Sequence, residues 1–302
     1  MTPKQLYAEH FFRDLASGDF PLRVSVETTN HCNLRCPYCP REESGRGFGN
    51  MELATFDSLV AQCADKDVVF APQGFGEPFA DARFGALVRR ANDAGVRYLD
   101  VVTNGTLLTE ENCRALVEPP VALITIDIDG TDPEVFEKYR VNAVYSEVVE
   151  NVRRLFRVRA EAGTAMPYIA LSAVGLPDVL RSMAEFRAMW SPYFKEGDEI
   201  FAAQAVTWAG DRPMPGKRPA TEAELRTRPP CRMLYKTLQI YFDGRASPCT
   251  YDHACKLQIG DASRQSLHEI WHGEPLRRLR ELHESRRSDE IDLCRGCPDH
   301  LP

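Results

Sequence analysis

Residues 32–39 read Cys32-Asn33-Leu34-Arg35-Cys36-Pro37-Tyr38-Cys39, which sets three cysteines at a C-x3-C-x2-C spacing. The run Leu22-Arg23-Val24-Ser25-Val26-Glu27 just before them has the character of a buried strand. Pro37 and Pro40 exclude a regular helix through the cysteines, because proline lacks the backbone donor and biases the residue before it away from helix. The thiols therefore sit on a loop at the C-terminal end of a first strand. Three thiolates on one short loop can hold three irons of a cubane and leave the fourth iron open to a substrate or cofactor. A purely structural site normally takes four protein ligands. A zinc site or a redox thiol pair is the other reading of three cysteines alone.

The 302 residues suffice for one large domain or a barrel with a small appendage. Lysine and arginine number 37 against 44 aspartates and glutamates, a net charge of −7. That balance disfavours nucleic acid as a partner and suits a cationic ligand, although ordinary surface charge produces the same total. Ten cysteines, several in tight groups, point to metal rather than disulfides and to a reducing interior. The N-terminus shows no basic segment followed by an apolar one, and no run approaches a membrane span, so a cytoplasmic location is expected.

Outward from the octet the chain alternates. Residues 1–20 read as an N-terminal helix with Tyr7, Phe11, Phe12 and Leu15 on one side. Arg41 to Asn50, with three glycines and four charges, is an exposed loop. Helical stretches over 53–64, 81–94, 109–117, 132–162 and 178–190 alternate with apolar strands over 67–71, 96–102, 122–128, 167–174 and 199–208. Gly95 and Thr109 supply a helix stop and start, and the long helix breaks near Asn142. With the first strand these make six β/α units, an α/β chain with a parallel sheet covered by helices over residues 21–208. Residues 209–230, with five prolines and two glycines, read as a linker before a second unit at 231–302. In that unit Asp243-Gly244 signals a hairpin, and helical sequence over 267–282 breaks at Gly273 and Pro275.

The octet, led by Val-Glu-Thr-Thr-Asn, resembles the cluster loop of the radical S-adenosylmethionine (SAM) superfamily. The resemblance extends along the chain. Gly74-Phe75-Gly76-Glu77-Pro78 resembles the Gly-Gly-Glu-Pro motif, with a phenylalanine where many members have glycine. Thr103-Asn104-Gly105, Ile128-Asp129-Gly130 and Ser172 fall at strand ends where the family places SAM contacts. Singly, each is an ordinary turn or satisfied polar residue. In this order after the octet, they identify the chain as a member. The resemblance implies a partial (β/α)6 barrel. It implies a [4Fe-4S] cluster on Cys32, Cys36 and Cys39, and SAM held by Tyr38, Gly76, Glu77, Pro78, Asn104, Asp129 and Ser172. A flavodoxin or ferredoxin would be the electron donor.

Cys231, then Gly244-x4-Cys249, then Cys294-x2-Cys297 resembles the twitch form of the SPASM module, which carries an auxiliary [4Fe-4S] cluster; a four-cysteine zinc ribbon is the alternative. Cys63 and Cys113, in helical segments, read as buried inert thiols. Five cysteines in the module leave one surplus. Generic spacing makes Cys249 a ligand and Cys255 the spare. The chain's likeness to the radical SAM epimerases of aminoglycoside biosynthesis, of the neomycin C to neomycin B type, reverses this. It implies Cys249 as hydrogen-atom donor, with Cys231, Cys255, Cys294 and Cys297 on the auxiliary cluster. It implies inversion of one sugar carbon and a cationic aminoglycoside substrate. Glu27, Glu42, Glu43, Asp127, Asp129, Asp243 and Asp252 are expected to receive that substrate at the barrel mouth. Alternatives are a dehydrogenase of a sugar or aminocyclitol alcohol, a peptide-modifying enzyme, and a zinc-binding module without catalysis.

Overall fold

The computed structural model describes residues 18–299, so the expected N-terminal helix lies almost wholly outside the described residues. Nine strands form one sheet: β1 Arg23–Val26, β2 Val69–Ala71, β3 Tyr98–Thr103, β4 Leu123–Asp127, β5 Tyr168–Val174, β6 Glu199–Ala203, β7 Thr237–Ile240, β8 Arg245–Ser247 and β9 Gly260–Asp261. Their order is β6-β5-β4-β3-β2-β1-β7-β8-β9. The pairs from β1 to β6 are all parallel, as six β/α units require. Arg23, Val24, Ser25 and Val26 of β1 then pair in parallel with Thr237, Leu238, Gln239 and Ile240 of β7. The second unit thus supplies a seventh parallel strand to the barrel sheet. Its hairpin follows in antiparallel register, with Gly244 turning at φ +88°.

The helices form where periodicity and caps demand them. Phe84–Asp93 buries Phe84, Leu87, Val88 and Ala91, one stripe at helical spacing. Glu110–Val117 is capped by Thr109, whose hydroxyl accepts from the Asn112 N–H. The long helical stretch divides into Pro133–Tyr139 and Tyr145–Glu161, with Asn142 left-handed between them at φ +78°. The expected linker at 209–230 contains a helix of its own, Glu222–Thr227, started by a capping box of Thr221 and Glu224.

Helix faces and strands share one continuous apolar core, which includes residues of the C-terminal unit such as Leu238, Ile240, Ile270, Trp271 and Leu276. Among the described residues no helix is long and apolar enough to cross a membrane. The core holds the strands so that their C-terminal ends open together, where parallel barrels collect ligand groups.

Candidate active site

A cavity of about 320 Å³ opens at those strand ends, lined by Cys32, Cys36, Cys39, Gly76, Glu77, Asn104, Asp127 and Ser172 among others. The three loop cysteines thus face the same space as the four motif residues downstream. Burial pushes Cys32 up to about 11 and raises Cys36 and Cys39. Three half-buried thiols whose ionisation a nearby cation would favour fit a cluster-bearing loop.

Gly76 is a glycine because of that loop. A Cβ there would lie 2.3 Å from the Thr29 carbonyl and 2.7 Å from that of His31. The close approach is to the chain entering the octet. The adjoining Glu77 N–H donates to the His31 carbonyl at 2.8 Å, locking the two loops together. The Glu77 carboxylate is 2 % exposed; it accepts from the Thr103 hydroxyl at 2.7 Å and from the Asn104 N–H at 2.8 Å. Burial dominates these bonds and lifts it to about 7. A cation entering the cavity would reverse that penalty, and the α-ammonium of SAM is one. Pro78 opens the short 3-10 turn behind it. Asn104 reaches back to the octet, donating to Asn33 Oδ1 at 3.0 Å and lying 3.9 Å from Cys32 Sγ.

Two expected SAM contacts are engaged in the protein itself. Asp129 is fully buried and does not line the cavity; it accepts from Arg140 Nε and the Val174 N–H, each at 2.8 Å, and from the Tyr38 hydroxyl at 3.1 Å. Tyr38 does line it, with its ring 5.5 Å from the Arg140 guanidinium. Arg140 carries no motif and its role is invisible in sequence. It also lies 3.7 Å from Asp127, whose carboxyl burial raises. Gln73 and Trp208 were missed too: Gln73 Oε1 accepts from the Val102 N–H at 2.6 Å, and Trp208 Nε1 donates to the Tyr38 carbonyl at 2.6 Å. A bare Gln-Gly and a tryptophan after the last strand give no sequence signal.

The acidic residues expected to meet a cationic substrate have other partners. Glu27 is paired with Arg46 at 2.6 Å, fully buried. Glu42 pairs with Arg35 and Arg41, Glu43 with Arg212, and Asp243 with Arg245. Asp252 is buried and caps a turn, accepting the N–H groups of Lys256 and Leu257 at 2.7 and 2.8 Å. Of the seven, Asp127 and no other lines the main cavity among the described residues. The physical reason is plain: this chain supplies an arginine to nearly every one of these carboxylates, and single-sequence counting sees charges without their partners.

In the C-terminal unit, Cys231, Cys249, Cys294 and Cys297 gather. Burial raises Cys249 well above the ordinary thiol range, and the neighbouring Cys231 and Cys294 add to it. Burial, with the neighbouring Cys297 adding to it, pushes Cys231 up to about 11 and Cys294 up to about 12. Arg228 fastens the Cys294–Cys297 turn, donating to the Cys294 and Cys297 carbonyls at 2.8 and 3.2 Å. Cys255 is elsewhere. It packs with Phe75, Tyr241 and Trp208, and Phe75 and Trp208 are walls of the cavity. Cys231 and Cys294 thus lie close enough to act on Cys249, while Cys255 packs with Phe75 and Tyr241. Among the described residues no three His, Cys, Asp or Glu side chains converge on the position of a single metal ion.

Two family models match this chain. Residues 26–179 match the model of the radical SAM superfamily, and residues 231–298 match the SPASM iron–sulfur cluster-binding domain. The PqqA peptide cyclase of Rhodopseudomonas palustris is 29% identical over 119 residues, covering 39% of this chain and 31% of that one. A tungsten-containing aldehyde ferredoxin oxidoreductase cofactor-modifying protein of Pyrococcus furiosus is 29% identical over 165 residues, 53% of this chain and 45% of that one. The chain spans less than half the length of these curated relatives. Among solved structures, BtrN in complex with AdoMet and 2-DOIA superposes with a TM-score of 0.61 at 16% identity, covering 91% of this chain and 92% of that one. Streptococcus suis SuiB bound to its precursor peptide SuiA gives 0.69 at 14% identity, covering 98% and 74%. The two domains bring with them a [4Fe-4S] cluster with SAM and additional iron–sulfur binding. With the first match spanning half of its 302 residues, this chain belongs to the radical SAM superfamily and carries a C-terminal SPASM domain.

Proposed function

We propose that this enzyme removes a hydrogen atom from one carbon of its substrate and returns one from Cys255, inverting that carbon. The observation that carries the reading is the sorting of the ten cysteines. Three face the main cavity, four gather in the SPASM domain, and Cys63 and Cys113 are sealed in the core. Cys255 remains, packed against the cavity wall residues Phe75 and Trp208. Cys249 then serves as the fourth auxiliary ligand, with Cys231, Cys294 and Cys297. Cys32, Cys36 and Cys39 would hold the cluster, which would supply the electron for reductive cleavage of SAM. Glu77 holds the ammonium of SAM, and Asn104 and Ser172 complete the pocket around it.

Burial pushes Cys255 up to about 12, so it keeps its hydrogen at neutral pH. A thiol can give up a hydrogen atom; a thiolate has none to give. The substrate carbon radical forms a C–H bond as the S–H bond of Cys255 breaks, leaving a thiyl. One electron from the external reductant and one proton from water restore the thiol. An aminoglycoside is the substrate class this reading carries from the epimerase likeness, with Asp127 as its carboxylate contact.

A second reading is peptide modification. Its support is the names of relatives: a PqqA peptide cyclase, the mycofactocin maturase MftC of Mycobacterium tuberculosis, and SuiB with its precursor peptide. A ring closure leaves two electrons to be carried away and has no use for a donor thiol. Anaerobic reaction with SAM, dithionite and a panel of aminoglycosides in deuterated water separates the two. Inversion predicts one deuterium at the product carbon and its loss in the Cys255→Ala variant, with iron content unchanged. Retained turnover in that variant sinks the donor role. Loss of auxiliary iron from Cys255→Ala but not from Cys249→Ala restores the opposite assignment.

A further inference from the structure

One buried ion pair belongs to neither the main cavity nor a cysteine set. Glu27 directly follows β1, which leads into the octet, and Arg46 lies in the glycine loop that leaves it. The Arg46 Nη1 and Nη2 atoms meet the two Glu27 oxygens at 2.6 and 2.9 Å. Each partner has a further attachment. Glu27 accepts from the Phe75 N–H at 3.0 Å and from the Phe242 N–H at 3.3 Å. Arg46 Nε donates to the His253 carbonyl at 2.7 Å, and its guanidinium lies 4.4 Å from the Tyr241 ring. The pair therefore joins the octet's two flanks, the Gly74–Gly76 turn, the β7–β8 hairpin and the segment carrying Cys255.

The backbone is built around this joint. A Cβ on Gly74 would sit 2.5 Å from Glu27 Cβ, and one on Gly49 would sit 2.5 Å from the Phe242 ring. Burying an ion pair is a poor route to stability, since desolvation offsets the attraction. A bidentate arginine does fix relative geometry, and it does so across parts of the chain that share no helix or strand.

We infer that Glu27 and Arg46 are a positioning pair that holds the Cys255 segment against the Gly74–Gly76 turn, keeping the thiol packed against Phe75. This rests on the reading of Cys255 as donor. Its test is separate. The iron-loaded full chain and its Arg46→Lys and Glu27→Gln variants are treated with iodoacetamide, and labelling of Cys255 is read by peptide mass spectrometry. Lysine cannot reproduce the two-pronged contact and the carbonyl bond together, so Cys255 labelling should rise about tenfold or more. Iron content, protection of Cys63 and Cys113, and 5′-deoxyadenosine formation from SAM and dithionite alone should stay at the wild-type level. A purely structural role would not single out Cys255 in this way. Unchanged labelling of Cys255 in both variants overturns the inference. So does loss of iron or of Cys63 and Cys113 protection in both, which would make the pair a folding requirement. If the donor reading alone is wrong, labelling still rises while Cys255→Ala keeps its deuterium incorporation.

Discussion

Glu77 shows how much one residue contributes here. Its two oxygens take a hydroxyl and a backbone N–H, yet burial wins and moves it from an ordinary 4.5 to about 7. Between those values the folded chain holds a proton that the unfolded chain has lost. Stability must therefore fall as pH rises from 4.5 to 7 and level off above, by up to about 3 kcal/mol. Thermal melts of the metal-free chain across that range should show the fall, and Glu77→Gln should flatten it. A cationic ligand has the opposite linkage, since it binds the ionised form. SAM affinity, measured by equilibrium dialysis, should rise about tenfold from pH 6 to pH 8 in the wild type and lose that slope in Glu77→Gln. An affinity indifferent to pH would mean Glu77 does not meet the ammonium. The residue itself was legible from Gly76-Glu77-Pro78. Its partners Thr103 and Asn104 were legible as a strand end, but the tight fit of Gly76 on residues 29–31 was not, because it joins two loops with no common pattern.

At the scale of elements, Arg228 links a helix end to the second cysteine group. It follows the helix Glu222–Thr227, is 5 % exposed, and spends its donors on the Cys294 and Cys297 carbonyls and the Ser288 hydroxyl. Arg228→Ala would strand those buried carbonyls, each worth about 1–3 kcal/mol when unsatisfied. The turn should open, and iron analysis should find about half the metal lost, from the SPASM domain and not from the octet. Full iron content would show that the thiols hold the turn unaided. Elements governed by nearby residues, such as the Thr109 cap, the Gly95 stop and the Asp243-Gly244 hairpin, could be read directly. The helix inside residues 209–230 was obscured by five prolines, although the Thr221–Glu224 capping box was there to be seen. The roles of Cys249 and Cys255 turn on which wall of the hairpin exit each one faces. The five residues of irregular chain between them carry no period from which to read that.

At the scale of the molecule, the described strands of both units share one sheet, and this changes what the C-terminal unit is for. Composition marked a boundary after Trp208, and the chain does change character there. Strand order does not follow composition. β7 returns across more than two hundred residues to pair with β1, and no local signal announces which strand a later one will join. Its four residues satisfy one whole edge of β1, and Leu238 and Ile240 are fully buried against the barrel core. Cut after residue 230, the barrel would expose that edge and lose these side chains from its core, leaving β1 paired on the β2 side alone beside the cysteine loop. The expectation is that a chain of residues 1–230 does not form a stable barrel. It should be insoluble or bind a hydrophobic dye, while the full chain melts in a single transition by calorimetry. A soluble truncated barrel with its own sharp melt, and two resolved transitions in the full chain, would mean that the units fold separately. One cooperative unit also suits the chemistry proposed. A radical made at one set of strand ends must be met by a thiol carried on another part of the chain. A shared sheet fixes that distance more firmly than a linker could.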